Sequence, residues 1–126
     1  MACRDVEGNY LEGMLLIADT ETVLMDPIVR LGPVSGGVFT GKFDGANEAN
    51  FTGTCSNDGP QPVITFTRIH PGQRITTVYN GKVVRIPALN KVIIRGNFTR
   101  VTVLINADAE LVNSTVSGDW ETERPT

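Results

Sequence analysis

The sequence predicts an all-β chain, a single antiparallel up-and-down β-barrel of about eight to ten short strands, with a two-sheet β-sandwich as the alternative. Three observations predict it. β-branched residues and turn signals recur at roughly eight- to twelve-residue intervals, and strong helical periodicity is missing. Most connections are short enough for hairpins, and closing such a meander removes its exposed edges. The 126 residues form one domain, 1–126, whose 40% hydrophobic and 20% charged content is that of a globular protein.

The strands are expected at 10–18, 22–30, 37–43, 50–55, 63–70, 74–79, 82–86, 91–100, 102–105 and 115–123. The first is apolar on both sides from Met14 to Ile17, which suits a strand covered by a neighbour or by the other chain of a homodimer. Turn residues separate the rest: Asp44-Gly45, Asn57-Asp58-Gly59-Pro60, Pro71-Gly72, Asn80-Gly81 and Pro87, with Ser35-Gly36-Gly37 as a further turn. The segment NADAELVN, from Asn106, reads as a turn with one short helical turn as its alternative. Asn80-Gly81 predicts a type I′ hairpin, because both central positions need positive φ. That hairpin sets Tyr79 opposite Lys82, Thr77 opposite Val84 and Ile75 opposite Ile86 on an inward face, and sends Arg74 and Arg85 to solvent.

Alternation extends the inward face to Ile64, Phe66, Arg68 and His70, to Val92, Ile94, Gly96, Phe98 and Arg100, and to Val116, Gly118 and Trp120. Two tripeptides recur. Phe39-Thr40-Gly41 returns as Phe51-Thr52-Gly53, and Phe66-Thr67-Arg68 as Phe98-Thr99-Arg100. Each reads as an inward aromatic, an outward Thr and a third residue on the aromatic's side, with Gly there allowing a barrel corner. The order of parts resembles the calycin group, the lipocalin-like and avidin-like barrels. An early Gly-x-aromatic strand, Gly8-Asn9-Tyr10, leads into a meander with F-T-G signals over residues 6–123. Tyr10 stands where those barrels usually carry Trp, and the resemblance implies a fold rather than particular ligand contacts.

Charge is unevenly distributed. Residues 1–60 carry three cations against nine acids, residues 61–105 seven cations and no acid, and residues 106–126 one cation against five acids, which gives the net −3. The bland explanation is that the basic and acidic patches meet across the barrel or between subunits. A pI near 5.0 and the lack of an aromatic-basic platform argue against nucleic acid as a partner. The sharper expectation concerns the barrel ends. Tyr79, Lys82 and Arg100 converge at one mouth to hold a carboxylate or phosphate, Arg68 and His70 lie at the other, and Phe66, Phe98 and Trp120 line the lumen.

No catalytic or phosphate-binding motif is present, His70 sits before a turn Pro, and no cofactor or metal site is expected. The leading expectation is therefore binding of a small, largely apolar molecule, with or without an acidic group, inside the barrel. A cofactor-free cyclase or isomerase, with Tyr79, His70 or an Arg orienting the substrate, is the second reading. A filled barrel acting through its outer surface, as a structural or carbohydrate-binding protein, is the third. With no membrane span and no apolar leader, the chain reads as cytoplasmic, or as secreted if Met1 replaces a signal peptide. Cys3 and Cys55 are expected to be unpaired, although a secreted chain would let them pair. The sequons at Asn50, Asn97 and Asn113 are triplets that a Thr-rich β protein generates by chance, and their use also needs a secretory route.

Overall fold

The computed structural model describes residues 1–17, 22–26, 29–44, 49–57, 59–69, 72 and 74–126; the side chains of 11–17, 22–26 and 49 are not among those described. Its strands are β1 (Gly8–Ile17), β2 (Thr22–Asp26), β3 (Val29–Leu31), β4 (Val38–Phe43), β5 (Ala49–Ser56), β6 (Val63–Ile69), β7 (Ile75–Ile86), β8 (Lys91–Ile105) and β9 (Leu111–Pro125). All are antiparallel neighbours in one sheet, ordered β2-β1-β3-β4-β5-β6-β7-β8-β9, and β1 also pairs with β9, so the sheet curls round and meets itself. The register of β1 continues unchanged from Gly13 opposite Asp26 to Tyr10 opposite Val29. β2 and β3 thus share one strand position, and eight positions surround the lumen. The barrel reading holds, and the sandwich does not.

Two turn expectations change. Asn80-Gly81 is not a hairpin: neither residue has positive φ, and both lie inside the twelve-residue β7. Gly81 instead faces Gly96 across β7 and β8. A Cβ on Gly96 would lie 1.8 Å from the Asn80 carbonyl oxygen, and one on Gly81 would lie 2.8 Å from Ile94. Missing side-chain bulk, not left-handed backbone, is what this pair contributes. The type I′ geometry occurs at Gly36-Gly37, with φ of 61° and 75° and reciprocal hydrogen bonds between Ser35 and Val38. Residues 91–100 and 102–105 likewise form one strand, β8.

The segment after β8 makes no helical turn. The Asn106 side-chain oxygen accepts from the Asp108 and Glu110 amides, Ala109 takes φ of 60°, and β9 begins at Leu111. The F-T-G repeat also has a simple use. Gly41 is paired with Phe51 and Gly53 with Phe39, and a Cβ on either glycine would lie within 2.5 Å of the opposing ring. Each strand leaves the space that the other fills.

Ile17 and Thr22, Phe43 and Ala49, Ile69 and Ile75, and Ile105 and Leu111 mark one end of the barrel. The opposite end carries the N-terminal segment, where a 3₁₀ turn (Cys3–Asp5) leads into β1 and Cys3 is disulfide-bonded to Cys55. This corrects the unpaired expectation, since the barrel brings together cysteines 52 residues apart. The regional charge asymmetry resolves partly into cross-strand ion pairs of β8 with β9, Lys91 with Glu123 at 3.2 Å and Arg95 with Glu121 at 3.1 Å.

Candidate functional site

The second tripeptide repeat builds the site. β6 and β8 flank β7, and pairing sets Phe66 opposite Tyr79 and Tyr79 opposite Phe98. One step towards the Ile69 end of the barrel, the same pairing sets Arg68 opposite Thr77 and Thr77 opposite Arg100. Each Phe-Thr-Arg thus delivers its ring and its guanidinium to the inner face, on either side of β7. With strands about 4.8 Å apart, the Arg68 and Arg100 backbones lie about 10 Å from each other, within reach of one shared anion.

Arg68 is only 2% exposed, and its guanidinium carbon lies 4.2 Å from the centre of the Phe43 ring. Arg100 is half-buried and donates from Nε to the hydroxyl of buried Thr77 at 3.1 Å. Among the described residues, the buried polar or charged side chains are Arg68, Thr77 and Thr122, so none is a carboxylate. Among the described residues, the buried charge on the inner face is that of Arg68.

Beneath that row lies a layer of aromatic rings. Phe66 stacks on Phe51 at 4.5 Å and on Tyr79 at 4.8 Å, and Trp120 meets Phe66 and Tyr79 edge-on at 5.8 and 5.3 Å. Phe43 and Phe98 extend the layer, at 5.8 and 6.5 Å from Tyr79. The Trp120 indole donates to the Asn80 carbonyl at 3.1 Å, which fixes it against β7.

No family model matches the sequence, and no curated protein matches it. Among solved structures, the avidin-related protein AVR2 matches with a TM-score of 0.65 at 16% identity, covering 100% of both chains. The fold is avidin-like. It is a calycin-type barrel, as the order of parts led one to expect.

Within this avidin-like barrel the sequence-predicted residues regroup. Arg68 and Arg100, expected at opposite mouths, share one row; Tyr79 and Lys82, expected beside Arg100 at a turn, do not. The cause is the missing hairpin, because a continuous β7 alternates Thr77, Tyr79, Gly81 and Val83 inward and turns Lys82 outward. Tyr79 is buried among the rings instead of lying at a mouth. Phe66, Phe98 and Trp120 do face the lumen, where Trp120 meets Phe66 edge-on and Phe98 packs near Tyr79. His70 lies outside the described residues. Arg74 and Arg85 are exposed. Thr77 was read from the sequence as inward but not as part of a mouth, and Phe43 was not singled out, although alternation from Phe39 pointed to it.

Two further features stand apart from the row. A groove of about 630 Å³ lies outside the barrel across β3 to β6, where outward side chains such as Thr40, Lys42, Asn50 and Thr67 line it. At the disulfide end, the Tyr10 hydroxyl donates to the Val6 carbonyl at 2.6 Å and accepts from Arg124 Nε at 3.2 Å. Burial pushes the Tyr10 phenol above its ordinary 10.0, while the hydrogen bond and charge of Arg124 pull it back. Among the described residues, no helix is long and apolar enough to cross a membrane, and no group of His, Cys, Asp or Glu is placed to hold a metal ion.

Proposed function

We propose that the protein binds a small, largely apolar molecule carrying an acidic group, at the barrel end where Arg68 and Arg100 face inward. The ring layer of Phe43, Tyr79 and Phe98 serves as the apolar floor, and the two guanidiniums with the Thr77 hydroxyl hold the anion by charge-assisted hydrogen bonds. The observation that carries this reading is Arg68. A buried guanidinium costs folding free energy that a hydrophobic residue of similar size would avoid. A rule of core composition broken in this way is expected at a functional site. The avidin-like fold supports a small-molecule role without naming the ligand. The disulfide supports the secreted alternative over the cytoplasmic one. In a secreted chain the exposed Asn50, Asn97 and Asn113 side chains also become eligible for glycosylation.

The test is calorimetric titration with matched pairs, a medium-chain carboxylic acid against its alcohol, with biotin as the probe that the fold suggests. The acid is expected to bind and its alcohol to bind about tenfold or more weakly, a preference that Arg68→Met removes. Equal affinity for acid and alcohol, or an acid preference that survives Arg68→Met, overturns the reading.

A further inference from the structure

β9 pairs with β8 along its whole length, from Leu111 opposite Ile105 to Pro125 opposite Lys91, with no break in register. Its other edge pairs with β1 no further than Gly118 opposite Ile17. On the far side, β7 reaches β8 only as far as Thr102, with one more hydrogen bond from the Val103 amide to the Arg74 carbonyl. Among the described residues, the β8–β9 hairpin therefore projects beyond its neighbours, and no strand pairs with the second edge of 111–117. Its apolar side chains stand in solvent: Leu104 is 51% exposed, Ile105 59%, Leu111 69% and Val112 42%.

Free edges are ordinarily guarded by charge, proline or a bulge. The segment LVNSTVS, residues 111–117, has none of these: no charged residue, no proline and an unbroken register. We propose that this edge pairs with the same segment of a second copy of the chain, antiparallel about a two-fold axis at Ser114. Such an isologous contact must be self-complementary. With the axis there, Val112 faces Val116, Asn113 faces Thr115 and Leu111 faces Ser117.

The extent of the free edge selects this axis. Gly118 and the residues after it are already paired with β1, and the residues before Leu111 form a turn, so the free edge is 111–117, centred on Ser114. An axis at Ser114 pairs all seven of these residues, whereas moving it half a residue either way pairs only six. The row at Arg68 plays no part in this contact, so the dimer and the ligand reading stand or fall separately.

Sedimentation and native mass spectrometry of the whole chain test the proposal. The expected result is a dimer of twice the chain mass, with self-association weakened about tenfold or more by Val112→Lys, while circular dichroism and the Cys3–Cys55 bond stay unchanged. A cross-link gives a second test. With oxidised glutathione as oxidant, Ser114→Cys lies on the axis and yields a covalent dimer, whereas Leu111→Cys faces Ser117 and yields far less. A chain monomeric at every concentration, a dimer indifferent to Val112→Lys, or equal cross-linking by the two cysteine variants overturns it.

Discussion

The two ends of the barrel handle an inward arginine in different ways. At the disulfide end, Arg124 is surrounded by local chain. It reaches the Tyr10 hydroxyl at 3.2 Å, the Asp5 carbonyl at 2.5 Å and the Tyr10 ring at 5.5 Å, while Cys3 donates its amide to the Asn57 side chain at 2.9 Å. Those contacts fasten the N-terminal segment onto the barrel wall. At the other end, Arg68 lies over the Phe43 ring and Arg100 on the Thr77 hydroxyl, and both come from the strand segment richest in cations. Arg124 ties chain to chain; Arg68 and Arg100 add positive charge to an inner face that has no buried carboxylate among the described residues. On the binding reading proposed above, the comparison places stability and binding at opposite ends.

The largest effect expected from that division comes from the disulfide. Replacing Cys3 and Cys55 together by Ser frees a loop spanning 52 residues, and the chain-entropy relation gives a loss of about 4 kcal/mol. Denaturant unfolding should show it as a lowered midpoint, while at temperatures where the variant remains folded its preference for acid over alcohol persists. Loss of that preference in the folded variant would break the comparison. Arg68→Met should do the reverse. Replacing a buried cation by a hydrophobic residue of similar size should leave stability within about 1 kcal/mol of the parent, as the same substitution removes the preference for acid over alcohol. A variant that unfolds more easily would show Arg68 to be structural and merge the two ends into one.

Much of this arrangement was legible in the sequence because alternation along a strand is a local property. Phe66 with Arg68, Phe98 with Arg100, and Trp120 all face inward, as their positions in each strand require. Position along the barrel axis was not legible, because it depends on where strands end. Asn80-Gly81 carries the dipeptide of a type I′ turn, yet the same glycine serves a close approach to Gly96, fifteen positions on, which local reading could not pair with it. That single reading moved Tyr79 and Lys82 to a mouth and parted Arg68 from Arg100. The cysteines were illegible for a related reason, since only the closed barrel brings β5 to the N-terminal turn.

The smallest effect is also the most selective probe of the disulfide end. Burial holds the Tyr10 phenol above its ordinary 10.0, with Arg124 opposing through its hydrogen bond and its charge. Raised in the folded state, the phenol contributes stability that is fully present below pH 10 and is lost as pH rises through the folded value, because the unfolded chain releases that proton first. Stability measured against pH should therefore be level through neutrality and decline above pH 10. Tyr10→Phe should lower the level by about 1 kcal/mol, through loss of the bond to Val6, and flatten the decline. Arg124→Gln removes the opposing charge, so the tyrosine absorbance change should move to still higher pH. A change that moves to lower pH would mean that Arg124 does not stabilise the Tyr10 phenolate, and the contact that defines this end would have to be redrawn.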